Sequence, residues 1–274
     1  MPDNILIPTD FSAVANYAAT AGIALAKIFK ARVHLLNCLE VPEAFDDTAE
    51  FKQQMYNSKI LLEDLRNQHP DIKIQIHQSG GRLFETVKDF VGKNKIDFIV
   101  IGSHGTSGKN EFFLGSNTQK IVRMVHCPVL VVKEPLESAH FKKVVFASGF
   151  SEEDKPAFLR MKDLLSVFKP KIHFVMIHTG SVFDPPVAVS TDAMESFQLL
   201  AAPLQSEIHF YKDFTVESGI RHFSEETDAD LVVVSNQIRH PLKRIFVGSN
   251  VEALVNHSDI PVLSLDFEQE KMAS

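Results

Sequence analysis

"NILIPTDFS" (residues 4–12) and "KVVFASGFS" (143–151) stand 139 positions apart and follow the same order of apolar run, turn and serine. The same offset lays "RVHLLNC" (32–38) over "KIHFVMI" (171–177), so that His34 falls on His173. Toward the end of each half the offset becomes 133. There "DFIVIG" (97–102) lies over "DLVVVS" (230–235), "GSN" (115–117) over "GSN" (248–250), and "CPVLVV" over "IPVLSL". The second copy is therefore six residues shorter in its middle. A repeat of this length predicts two units of one fold rather than a single large core, as a chain of 274 residues also suggests.

Within each copy, short runs rich in Val and Ile alternate with longer segments of helical period. This is the pattern of βα units around a parallel sheet buried on both faces. In the first copy the runs predict strands near 4–8, 32–38, 72–77, 97–101 and 128–132, with helices over 12–29, 48–68, 82–93 and 116–125. The expected fold is α/β: two tandem doubly wound domains, each a five-stranded parallel sheet flanked by helices. The domains are expected over 1–135 and 140–270, joined by the polar "KEPLESAH" (133–140), with the boundary near Pro135 to Ala139. Ser116 reads as a helix N-cap with Gln119 as its capping-box partner, and Ser249 with Glu252 as the same device in the second copy.

Composition removes several classes. A net charge of -7 without a basic stripe argues against nucleic-acid binding. No run of eighteen apolar residues could span a bilayer, and the start lacks a secretory pattern, so the expected location is cytoplasmic. Cys38 and Cys127 lie in apolar runs and read as small hydrophobes, not a disulfide framework. His173 and His178, five residues apart on one strand, face opposite sides, and no Cys/His cluster reads as a zinc site, so no metal residues are expected.

"IGSHGTSGKNEFFLGSN" (101–117) is the chemistry-bearing stretch. A loop from a strand into a helix offers unpaired backbone N–H groups and the positive end of the helix dipole to a phosphate, and glycine lets the backbone approach. Walker A fails, because Gly108-Lys109 has no glycine five positions earlier and is followed by Asn110. The Rossmann fingerprint fails too, since the first strand turns through "PTDFS". What fits is G-x2-G-x9-G-[ST], carried by Gly102, Gly105, Gly115 and Ser116, with Asp10 ending the first strand.

This set resembles the universal stress protein family, specifically its ATP-binding subgroup. "ILIPTDFS", "HLLNCLE", "DFIVIGSHGTSG", "FLGSNTQKIV" and "CPVLVV" fall in the family's order over nearly the whole chain as two tandem domains. The resemblance implies an adenine nucleotide (ATP, ADP or AMP) near Pro8, Thr9, Cys38 and Ile101, with Asp10 on the adenosine part. It places the phosphates at Gly102, Gly105, Gly115, Ser116 and Asn117. From the residues themselves, Lys109 reads as a terminal-phosphate contact or a solvated lysine, His104 as a weak ligand contact or loop structure, and Mg only as a companion of the phosphates. It also implies a role in stress response or signalling through a protein partner not identified by the sequence. The family's last strand commonly mediates dimerisation. Val129 to Val132 and Val262 to Leu265 are therefore expected to pair antiparallel as an intramolecular pseudo-dimer, with a homodimer left open.

The second copy reads as degenerate. Asp10 becomes Gly149, Gly102 becomes Ser235 and Gly105 becomes Ile238, while Pro241 removes a donor and Lys243 and Arg244 follow in the loop. Nucleotide binding is expected in the first domain alone. Two alternatives stay open. One is an interaction module that binds no nucleotide. The other is an ATP-hydrolysing or adenylyl-transferring enzyme, which would need S-G-G-x-D-S directly after the first strand; here Ser79-Gly80-Gly81 follows the third strand instead. No residue set activates water or a nucleophile, so no catalytic residues are expected and ATP hydrolysis, if any, is slow.

Overall fold

The β-branched runs form central strands buried along most of their length, with partly exposed strands at 74–80 and 206–212, and the segments between them form helices that flank the sheets. A computed structural model describes residues 1–39, 48–103, 116–182, 184–235 and 244–265, apart from the side chains of 116 and 244–250. The chain divides into two compact units, Met1–Ala139 and His140–Ser274. The first unit runs β1 (Asn4–Pro8), α1 (Ala13–Phe29), β2 (Arg32–Leu39), α2 (Ala49–Asn67), β3 (Ile74–Gly80), α3 (Leu83–Asn94), β4 (Phe98–Gly102), α4 (Ser116–Met124) and β5 (Val129–Val132). Its strands lie parallel in the order β3-β2-β1-β4-β5.

The second unit repeats the plan. It contains β6 (Lys143–Ala147), α5 (Lys155–Leu165), β7 (Lys171–His178), α6 (Val187–Ala201), β8 (Ser206–Lys212), α7 (Val216–Glu226), β9 (Leu231–Ser235), α8 (Arg244–His257) and β10 (Val262–Leu265). Its parallel order is β8-β7-β6-β9-β10. In each unit the strand order reverses between the first and fourth strands, and the carboxyl ends of those two strands border a crevice. Among the described residues no helix is long and apolar enough to cross a membrane.

The two units fill their cores differently. The buried face of α1 is small: Ala15, Ala18, Ala19, Gly22 and Ala26. At the offset of 139, Ala19 becomes Phe158, Gly22 becomes Met161 and Ala26 becomes Leu165, all buried on α5. Small residues let α1 lie close along β4, whereas α5 stands off β9. Phe146, Phe150, Phe158, Phe174 and Phe197 pack together there, with ring centroids 5.3 to 6.3 Å apart.

One expected helix start is corrected. α8 begins at Arg244, so Ser249 lies inside it and is not an N-cap. Residues 244–247 have no helix breaker, and one interior glycine costs only about 1 kcal/mol, so Gly248 does not end the run. In α1, by contrast, Ser12 is the N-cap, its hydroxyl accepting from the N–H of Ala15 at 3.3 Å.

Each unit stacks a buried histidine on a half-buried one beside a phenylalanine. In the first, Nδ1 of His34 lies 3.1 Å from Nε2 of His77, His34 Nε2 meets Asn4 Oδ1 at 3.2 Å, and Phe90 of α3 packs edge-on. Burial, helped by the charge of His77 and Arg32, lowers the His34 pKa from 6.5 to about 4. The unfolded chain therefore binds more protons between those values. Stability is full above pH 6.5, falls as pH drops through the window and levels off below about 4. At about 1.4 kcal/mol per unit the loss is on the order of 3 kcal/mol. Denaturation across this range should show a shallower fall in His34→Gln than in wild type; parallel curves would refute the assignment.

Candidate functional site

The crevice of the first unit forms where β1 and β4 end and α1 and α4 begin. Pro8, Thr9 and Asp10 come from the end of β1, Cys38 from β2, Ile101, Gly102 and Ser103 from the end of β4, and Asn117 and Thr118 from the first turn of α4. Ser12, Val14 and Ala15 of the α1 start and Leu83 of α3 complete the wall. The structure thus brings together Pro8, Thr9, Asp10, Cys38, Ile101, Gly102 and Asn117. His104, Gly105, Lys109 and Gly115 lie outside the described residues, and Ser116 is placed only as the first residue of α4.

Hydrogen bonds fix the β1 elbow. The N–H of Thr9 donates to the Leu36 carbonyl at 2.9 Å, and the side-chain amide of Asn37 donates to the Thr9 carbonyl at 2.8 Å. Phe11 turns the chain with a left-handed φ of 64°, its N–H held by Thr9 Oγ1 at 3.0 Å. A bulky residue there is strained, and the second unit keeps the same turn at Phe150, φ 54°, held by Ser148 Oγ. The elbow therefore belongs to the strand-to-helix crossing in both units. Asp10 is exposed, and its Oδ1 accepts from the Ser12 N–H at 3.0 Å. That bond shapes the turn through Oδ1 and leaves Oδ2 to face the crevice as an acceptor.

Gly102 has a structural reason that its spacing does not reveal. A Cβ there would stand 2.4 Å from the Val14 carbonyl oxygen and 2.9 Å from the Ala15 nitrogen, both backbone atoms. Its carbonyl accepts from Thr118 Oγ1 at 3.2 Å, tying β4 to α4. Beside it, Ser103 is buried and its hydroxyl has no hydrogen-bond partner. An orphaned buried hydroxyl in a crevice wall is a ready contact for a polar ligand. Ser103, Thr118 and Leu83 were not expected from the sequence. Only the position of Ser103 directly after a strand-ending glycine could have singled it out.

The equivalent crevice of the second unit is larger and more apolar, about 280 Å³ against about 150 Å³. Ala147, Ser148 and Gly149 replace Pro8, Thr9 and Asp10, and Val175, Met176, Ile177, Val216, Val251 and Leu254 close it. Among the described residues no carboxylate lines it. Ile238, Arg239, Pro241 and Lys243 lie outside the described residues.

The sequence pattern described as the Universal stress protein family matches residues 1–133 and again 140–265. Universal stress protein MJ0531 of Methanocaldococcus jannaschii is 31% identical over 140 residues, covering 48% of this chain and 82% of that protein. A solved universal stress protein from Archaeoglobus fulgidus superposes with a TM-score of 0.76 at 18% identity, over 98% of this chain and 97% of that one. A universal stress protein solved in complex with cAMP matches 46% of this chain and 97% of its own, with a TM-score of 0.38 and 18% identity.

Proposed function

Because the chain belongs to the universal stress protein family, as two tandem copies of its domain, we propose that the first domain binds an adenine nucleotide and the second does not. The observation that carries the reading is the convergence of Asp10, Gly102, Ser103 and the starts of α1 and α4 on one crevice at the reversal of strand order. Open parallel sheets take their ligands at this place. Two helix N-termini supply unpaired N–H groups and partial positive charge for phosphoryl oxygens.

The residues present fit the group. Pro8, Thr9, Cys38 and Ile101 offer a narrow, mainly apolar slot for adenine, and Asp10 keeps a carboxylate oxygen for ribose hydroxyls. Ser103 and Asn117 add polar contacts, and the glycine loop with Gly105, Lys109, Gly115 and Ser116 holds the phosphates, with Mg as their companion. No residue in the described crevice is placed to activate water. The domain is a nucleotide-gated binding module whose occupancy is read by a protein partner in stress signalling. The second crevice lacks the carboxylate and offers apolar walls instead.

Calorimetric titration of ATP, ADP and AMP into the whole chain tests this reading. One saturable site is expected. Asp10→Ala should weaken it about 10- to 100-fold, the value of a hydrogen bond to a charged group. Asp10→Asn keeps the acceptor for Ser12 and should fall between. Gly105→Val should remove phosphate-dependent affinity while retaining weak AMP binding. No saturable binding by wild type, or equal affinity in Asp10→Ala, would sink the proposal.

A further inference from the structure

We propose that the second domain holds a divalent transition-metal ion, zinc by its donor set, on His173, Glu207 and His209. The three sit on neighbouring parallel strands. His173 of β7 is the register partner of Glu207 of β8, and His209 follows two residues on, so all three side chains leave the same face of the sheet. Spacing along the chain hides this set, because two of its members are contributed by a strand more than thirty residues from the third. The earlier expectation of no metal residues weighed His173 against His178, which point apart.

The distances fit one ion. Nδ1 of His173 lies 3.1 Å from Nε2 of His209, and Oε2 of Glu207 lies 3.8 Å from each. The point equidistant from the three atoms is about 2.1 Å from each, within the range of zinc bonds to imidazole nitrogen and carboxylate oxygen. A tetrahedral zinc site would bring the donors to edges of about 3.3 to 3.6 Å, a movement of a few tenths of an ångström. Imidazole with carboxylate suits zinc better than the hard oxygen-seeking cations.

The surroundings support the donors. Glu207 keeps its other oxygen on the Lys171 ammonium at 2.7 Å, which orients the carboxylate and holds its pKa below the usual range. Burial lowers the pKa of both histidines, so the imidazoles present lone pairs at neutral pH. In the absence of metal one ring donates its N–H to the other; coordination requires only that this ring take its other tautomer. His173 is buried while Glu207 and His209 are partly exposed, so the fourth position opens to water.

The first domain is an internal control. Its pair, His34 and His77, has the same 3.1 Å contact, but the register partner of His34 is Gln75. Two imidazoles without the carboxylate make an incomplete set. The proposal is independent of the nucleotide reading, since Asp10 and its crevice belong to the other domain.

The test uses the whole chain, stripped with a chelator, and Zn2+ alone as the titrant. Calorimetry should give one site per chain, and Co2+ in its place should give the visible bands of a tetrahedral ion. Glu207→Gln, at a half-exposed position that leaves the fold intact, should weaken Zn2+ binding about 10-fold or more. His209→Gln, checked for native circular dichroism, should abolish it. Gln75→Glu should raise the stoichiometry from one to two. No saturable binding by wild type, unchanged affinity in Glu207→Gln and His209→Gln, or a stoichiometry that stays at one in Gln75→Glu overturns the proposal.

Discussion

Gly102→Val lowers the stability of the first domain by about 3 kcal/mol, the upper end of what overpacking a close-packed interior costs, and removes the proposed nucleotide affinity with it. The first added carbon meets the backbone of α1, 2.4 Å from the Val14 carbonyl. Backbone cannot swing aside as a side-chain tip would, so the start of α1 must shift away from β4. That shift carries Ser12, Val14 and Ala15, one wall of the crevice, away from Gly102 and Ser103. Ser235→Val in the second domain should cost less than about 1 kcal/mol, because the hydroxyl it removes is buried and unsatisfied. Denaturant midpoints for the two variants check this contrast. Equal, small shifts would mean that α1 yields easily and that the small face of the helix is not what makes glycine necessary.

Phe174→Ala is expected to destabilise the second domain by about 3–5 kcal/mol. The side chain is fully buried at 0% exposure and touches the rings of Phe146, Phe150, Phe158 and Phe197. Rigid neighbours on every side relax little into the void, which places the cost toward the upper part of the range for such truncations. The melting temperature of that domain should fall by on the order of 10 °C. Leu35→Ala, at the equivalent position of the first domain, should fall toward the lower part of the aliphatic range of about 2–5 kcal/mol, because the alanine-rich α1 can settle into the gap. A small loss in Phe174→Ala would show that the aromatic cluster repacks.

The repeat made the fold legible before any coordinates. β1 is found at 4–8 as expected, and the ends of β2, α1 and α3 fall within a few residues of the apolar periods. β3 begins at Ile74 and not 72, because Asp71 belongs to the turn after α2, where its carboxylate pairs with Lys27 of α1 at 3.0 Å. The start of α8 was misread because a Gly-Ser-Asn triplet carries the signature of a helix start wherever it stands, and only chain geometry decides whether a helix has already begun. At the crevice, the strand-end residues were legible because carboxyl ends of parallel strands are where sequence and topology coincide. The second reason for Gly102 was not, since the atoms that require it lie at Val14 and Ala15, nearly ninety residues away. The His173, Glu207 and His209 set escaped for the same cause: register across strands is a property of the sheet.

The aromatic core of the second domain has an optical consequence. The chain contains 22 phenylalanines, three tyrosines and no tryptophan, so no indole absorption overlies the weak vibronic bands of phenylalanine. Rings held edge to face in a rigid cluster acquire strong chirality, and among the described residues the five-ring cluster of the second domain outnumbers the single buried pair of Phe29 and Phe98 in the first. Near-ultraviolet circular dichroism in the phenylalanine region should therefore be weighted toward the unfolding of the second domain, and a single tryptophan placed in the first would give each half of the chain its own colour.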